Sequence, residues 1–196
     1  MKIRNAIIFG AVAMVLSACG ASDAGTAASI SGVKIPESVL ADALVDISNE
    51  VSAETLNITE AELTLEVLNR LVLTEVIRQV GAQAEVTVSE SEIVAERSRV
   101  IADFGSEAAL IDAGLQQAIA PSMLDKVFEI SIYVAKIGQK LEPTGSPANQ
   151  NTAFESFLFT FVEGADIAVA PRYGKWDSAR AAVVAPDNPL VNSPQE

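Results

Sequence analysis

Apolar side chains in this chain recur mostly at intervals of three and four, the period of helices, and polar capping residues punctuate the stripes. Val39, Leu40, Ala43, Leu44 and Ile47 make the first stripe. Pro36 ahead of it opens the helix, where a fixed φ and a missing N–H cost least. Residues 48–57 read as a loop. Thr59 and Glu62 have the spacing of a capping box, in which each side chain accepts the other's backbone N–H, so a helix is predicted over 60–85. Its apolar positions (Leu63, Leu65, Val67, Leu68, Leu71, Val72, Leu73, Val76, Ile77 and Val80) cover more than one face, as expected of the central and most buried helix.

A second capping box, Ser89 with Glu92, starts a helix near Glu90 with Ile93, Arg97, Val100, Ile101 and Phe104 on one side. Gly105 ends it, and Ser106 caps a short helix through Ala113 that stops at Gly114. Pro121 opens a long helix to about Leu141, with Leu124, Val127, Phe128, Ile130, Val134, Ile137 and Leu141 facing inward. Residues 143–151 read as a linker around Pro143, Gly145 and Pro147. Thr152 with Glu155 makes a third capping box, followed by Phe154, Phe157, Leu158, Phe161 and Val162 on one face and Gly164 as the stop. Residues 166–170 alternate as a strand closed by Pro171, and residues 28–35 form an extended segment with a turn at Ser31-Gly32. The expected fold is mainly α, a helical bundle with a small two- or three-stranded sheet. The last few residues of the 178–196 tail are expected to be disordered.

The start of the chain follows a different logic. Lys2 and Arg4 precede an uncharged apolar run over 6–16, and the first acid is Asp23. A basic head, a short apolar stretch and small residues describe a secretory signal. The run is too short to span a hydrocarbon core, which needs roughly 20 helical residues. Leu16-Ser17-Ala18-Cys19 resembles the bacterial lipobox. Residues 1–18 are therefore expected to be removed and Cys19 acylated, leaving the protein on the extracytoplasmic face of a cell-envelope membrane. Two or more acyl chains hold a protein stably where one does not. Residues 19–27 would serve as a small, flexible tether. Cys19 is the only cysteine, so no thiol remains for a disulfide, a metal or nucleophilic attack.

Charge and composition narrow the function. The formal charge is −13, and removing Lys2 and Arg4 with residues 1–18 takes it to −15. Such a surface opposes nucleic-acid phosphates and anionic headgroups, so no nucleic-acid partner is expected and membrane contact comes only through the lipid. Histidine is absent from all 196 positions, which removes the usual general base and the commonest metal ligand. There is no glycine-rich phosphate loop and no nucleophile elbow, and the carboxylates fall on solvent faces and at helix starts. No enzyme activity, cofactor or metal is expected.

Residues 28–37, Ala-Ser-Ile-Ser-Gly-Val-Lys-Ile-Pro-Glu, resemble the opening strand and turn of SurA-type chaperones and PrsA-type foldases, with Ser31 where those read Asn. Residues 68–72 resemble their second helix, and 86–93, Val-Thr-Val-Ser-Glu-Ser-Glu-Ile, resemble their Val-Ser-Asp-x-Glu-Val link. Phe104-Gly105-Ser106 and the long closing helix extend the likeness over about 28–141. Residues 166–177 resemble the tail of short lipoproteins of this type. The resemblance implies a chaperone domain over 28–177, with a 28–141 core and a C-terminal helix and strand over 152–170. Its partners would be unfolded or secreted polypeptides, held through apolar surface. Members often carry a parvulin isomerase domain after the long helix. Only 54 residues follow Glu142 here, none of them histidine, so isomerase activity is not expected.

In that family the C-terminal part returns to complete the N-terminal module. Residues 167–170 are thus expected to pair with 29–35, and the phenylalanine helix to pack on the central helix. Phe154, Phe157 and Phe161 either fill the core, the commoner fate of such a stripe, or line a client groove. The cluster at 172–177 holds Tyr173 and the sole tryptophan, Trp176. It reads either as a turn whose aromatics pack back on the helices or as a peptide-binding corner, with Trp176 strongly buried in both cases. The alternative function is a scaffold lipoprotein that holds one folded partner.

Overall fold

The computed structural model describes residues 25–186. Cys19 and the expected signal segment lie outside this range, as do the last residues of the tail. Strand β1 (Thr26–Ile30) and β2 (Val33–Pro36) form a hairpin, followed by helices α1 (Glu37–Ser48), α2 (Glu60–Gln83), α3 (Glu90–Phe104) and α4 (Glu107–Leu115). A short 3-10 turn at Pro121–Met123 leads into α5 (Leu124–Leu141) and α6 (Pro147–Gly164). Strands β3 (Ile167–Val169), β4 (Lys175–Asp177) and β5 (Ala182–Val184) finish the chain. The protein is mainly helical with small antiparallel sheets, as its sequence pattern predicts.

The first sheet has the order β2-β1-β3. Ser31 (φ 46°) and Gly32 (φ 88°) make the left-handed pair that a two-residue hairpin turn requires. β3 pairs antiparallel with β1 through Ala28–Val169, Ser29–Ala168 and Ile30–Ile167, so the C-terminal segment does return to the N-terminal one. Ser31 N–H to the Asp166 carbonyl (2.7 Å) and Ala170 N–H to the Ala27 carbonyl (2.9 Å) extend the ladder at both ends. β1 is the middle strand, and Ala27, Ala28 and Ile30 are all buried. The body therefore begins at least two residues before 28: Thr26 and Ala27 belong to the sheet, not to a tether.

α2 is the central helix. Leu63, Val67, Leu68, Val72, Val76 and Val80 are each at most 2% exposed, and α1, α5, α6, β1 and β5 all pack against it. Its capping box is complete: Glu62 N–H donates to Thr59 Oγ1 (3.2 Å), and Thr59 N–H to Glu62 Oε2 (2.7 Å). The Ser89–Glu92 box of α3 closes likewise at 3.4 and 2.8 Å, and Gly105 (φ 85°) ends α3 in the left-handed conformation.

Several expectations need correction. Pro36 is the last residue of β2 and the N-cap of α1, one position earlier than first-turn proline. Gly114 does not stop α4. It lies inside the helix where a Cβ would come 3.3 Å from Leu124, so its role is close approach. The predicted box at Thr152 is absent because α6 begins six positions earlier in capping terms: Ser146 Oγ accepts the Asn149 N–H (3.3 Å) and Pro147 takes the first helical position. Thr152 Oγ1 instead donates back to the Ala148 carbonyl (3.0 Å). α3 has no fully buried residue, and Phe104 and Leu141, expected to face inward, are 48% and 38% exposed. Each is the last residue of its helix. Part of the 178–196 tail is also built in, since β5 hydrogen-bonds β4 and buries Val183.

Candidate functional site

An open, partly apolar hollow beside the core lies between α2 and α5, under the loop that joins β4 to β5. Glu66, Asn69, Arg70, Leu73 and Ile77 reach it from one face of α2, at the i, i+3, i+4, i+7 and i+11 positions. Val127 and Ile130 reach it from α5, one turn apart, and residues 180–182 form its roof. The cleft has a volume of about 420 Å³. Its floor is Leu73, Ile77, Val127 and Ile130, all but Ile77 half-buried and open to a ligand.

The roof is fixed by one side chain. Asn69 Oδ1 accepts the Val183 N–H (3.0 Å) and its Nδ2 donates to the Val183 carbonyl (3.4 Å). The outer edge of β5 is therefore paired to a helix, and Val183 itself is 2% exposed. Arg70 stands beside it on the rim. Its Nη2 donates to Glu66 Oε1 (2.9 Å) and to the Gln117 carbonyl (3.1 Å). Its Nε–H is buried and has no acceptor. Arg180 approaches from the loop, 73% exposed, with Asp177 Oδ2 at 3.6 Å from its Nε. An apolar floor under two arginines suits contact and charge recognition; its lining brings together no nucleophile and base.

The residues singled out by sequence take different places. Phe154 is 5% exposed and part of the core, so it is not a client contact in the folded protein. Phe157 and Phe161 are half-buried and pack against the core, on the helix that lies chiefly along α5 and also touches α2. Phe159 is the member of that helix that reaches solvent. Tyr173 lines a smaller hollow of about 320 Å³ with Ala61, Leu65 and Pro186, and Arg172 sits 4.9 Å above its ring. Arg172 also pairs with Glu37 of α1. Trp176 packs back on the core but is half-buried rather than enclosed, and its Nε1–H lacks an acceptor. The strong burial of Trp176 that both the aromatic turn and the peptide-binding corner imply is not found. The structure does not bring these aromatics and the phenylalanine stripe into one site.

The cleft itself was not singled out by sequence. Leu73, Val127 and Ile130 read as core, and the usable signal was the second apolar face of α2 interrupted by Asn69 and Arg70. Elsewhere, ion pairs link α3 to α5 and α4. Lys136 Nζ donates to Glu92 Oε1 (2.7 Å) and to the Thr87 carbonyl (2.6 Å). Arg97 reaches Asp125 and Glu107, each at 2.6 Å. Lys136 and the Ser89 cap draw the Glu92 carboxyl down to about 2. No family model, curated protein or solved structure matches this chain. Among the described residues no helix is long and apolar enough to cross a membrane.

Proposed function

We propose that this chain is an extracytoplasmic lipoprotein, anchored through Cys19, that holds unfolded or translocating polypeptides by apolar contact, without isomerase chemistry or a cofactor. The observation that carries this reading is the open α2–α5 cleft, floored by half-buried Leu73, Val127 and Ile130 over the buried Ile77. The likeness of residues 28–141 to SurA- and PrsA-type chaperones supports it, as does the pairing of β3 with β1 that the likeness implied. A protein of this kind acts by mass action: it binds the unfolded chain in preference to the native one and lowers its free concentration.

The test is suppression of aggregation of several unrelated denatured proteins, comparing the wild type with Ile130→Asp. Broad suppression, weakened by the substitution, is expected. Failure to protect any client overturns the reading. Incorporation of labelled palmitate, abolished by Cys19→Ser, tests the anchor separately.

One feature favours the scaffold alternative. The exposed large apolar residues Val33, Val45, Val94, Phe104, Leu141 and Phe159 are dispersed over β2, α1, α3, α5 and α6. Scattered single residues are ordinary surface, whereas promiscuous capture usually relies on a continuous patch. Protection of one partner alone would decide for the scaffold.

A further inference from the structure

We infer that the α2–α5 cleft takes the free C-terminal end of a polypeptide, with its carboxylate on Arg70 and Arg180 and its last apolar side chains on Leu73, Ile77, Val127 and Ile130. This rests on the polypeptide-binding reading and gives it a ligand. The chain carries a formal charge of −13, yet two arginines line its partly apolar cleft. Neither is saturated. A guanidinium offers five N–H donors in a fixed fork, and Arg70 has a buried Nε–H without an acceptor. Arg180 meets Asp177 at 3.6 Å, beyond hydrogen-bond length, with most of its side chain in solvent. Glu66 is the acid lining the same cleft, and Asp177 stands beside Arg180. Glu66 and the Gln117 carbonyl engage Arg70 through Nη2, and Asp177 faces Arg180 at Nε, which leaves Nη1 of Arg70 and the terminal nitrogens of Arg180 to a ligand.

Size and chemistry select the occupant. The volume of about 420 Å³ falls near the lower end of ligand sites, about 300–1,000 Å³, and holds a few side chains rather than a long segment. An internal apolar segment brings no charge beside its side chains. The last residue of a chain always does, because its carboxylate is attached to the same Cα as its side chain. Carboxylate on arginine is the strong, bidentate form of such a contact.

The experiment measures binding of a labelled octapeptide ending in Val-Leu-Phe to the full-length protein by fluorescence anisotropy, as the free acid and as the C-terminal amide. The acid is expected to bind about tenfold tighter, the scale of one charged hydrogen-bonded contact, and the advantage to shrink in high salt. Arg180→Glu should abolish the preference without moving the melting temperature, since Arg180 is exposed; Arg70→Lys should reduce it while keeping the charge. Equal binding of acid and amide overturns the inference, as does a preference that survives Arg180→Glu. Displacement of the peptide by dodecanoate at equal potency would assign the cleft to a fatty carboxylate instead and overturn it too. Broad aggregation suppression with no acid preference leaves the proposed function standing and removes only this inference. Neither suppression nor peptide binding removes both.

Discussion

Gly138 marks the point where α5 crosses α6, and it yields a prediction whose sign opposes helix propensity. A Cβ at this position would lie 2.7 Å from the Gln150 carbonyl oxygen, 3.1 Å from its carbon and 3.2 Å from its Cβ. Ordinary C···O contacts run at about 3.3–3.6 Å, so α6 would have to retreat by roughly 0.6 Å. It is not free to do so. Gln150 Nε2 ties α6 to the preceding loop through the Glu142 and Gly145 carbonyls, at 3.1 and 3.3 Å, and Phe154 is seated in the core one turn on. Alanine in place of a helical glycine would by itself gain about 0.5–1 kcal/mol. Overpacking costs about 1–3 kcal/mol, with the upper half expected here because the obstacle is backbone. Gly138→Ala should therefore lose about 1–2 kcal/mol, a fall in melting temperature of roughly 2–8 °C for a domain of this size. Gly164→Ala is the control: it lies on α6 with nothing within 4 Å of its Cβ position, and should leave stability unchanged or raise it by up to about 1 kcal/mol. Thermal and urea melts followed by circular dichroism read both. A Gly138→Ala protein as stable as the Gly164→Ala protein would show that the helices do not approach so closely.

Three further outcomes follow from single contacts. Ser31→Asn should gain on the order of 0.5 kcal/mol in the same melts, because asparagine tolerates the left-handed conformation that Ser31 holds at φ 46°. Asn69→Ala should lose about 1–3 kcal/mol by leaving the buried Val183 N–H and carbonyl unpaired, with faster hydrogen exchange at Val183 as its local signature. Glu92 titrates at about 2 in the folded protein against an ordinary 4.5. A depressed carboxyl stabilises the fold above its unfolded pKa, so its contribution is full above pH 4.5 and is lost as pH falls from there towards 2. Amide exchange in α3 should rise across that window, and Glu92→Gln should flatten the change.

The parts of the fold that sequence made legible are those fixed by short-range chemistry. Thr59 with Glu62, Ser89 with Glu92, and Gly105 each act within one helical turn, so their spacing alone located helix ends. The same reasoning misplaced the start of α6 because Thr152 and Glu155 have the spacing of a box, while Ser146-Pro147 offers an earlier cap that lets the helix run six residues further back. Once Thr152 lies inside a helix, its hydroxyl bonds the carbonyl four residues behind, as Ser156 and Thr160 also do. The β4–β5 hairpin left little periodic trace, because its three-residue strands are not extended by alternating flanks as β3 is by Asp166 and Ala170. It exists through contacts far away in sequence, above all Asn69 with Val183. The cleft was hidden for a related reason: an apolar residue on a core helix and one on the floor of an open hollow look alike until the neighbouring helix is placed.

That dependence on distant contacts decides whether residues 28–141 are a self-sufficient core. Cutting the chain after residue 142 removes α6 and every strand from β3 to β5. β1 would become an edge strand, with the Ser31 N–H and Ala27 carbonyl losing Asp166 and Ala170 as partners. Phe154, Leu158, Val162 and Val183 would leave the core, where each is at most 9% exposed. At about 1.5–3 kcal/mol per buried side chain, their loss amounts to about 6–12 kcal/mol. The whole stability of a domain is only about 5–15 kcal/mol. The truncated chain should thus lack a cooperative thermal transition, although α2 could retain helical signal. Melting of a fragment lacking residues 143–196 at the temperature of the full chain would show instead that the returning segment is an appendage, and that the sheet and α6 do not complete the core.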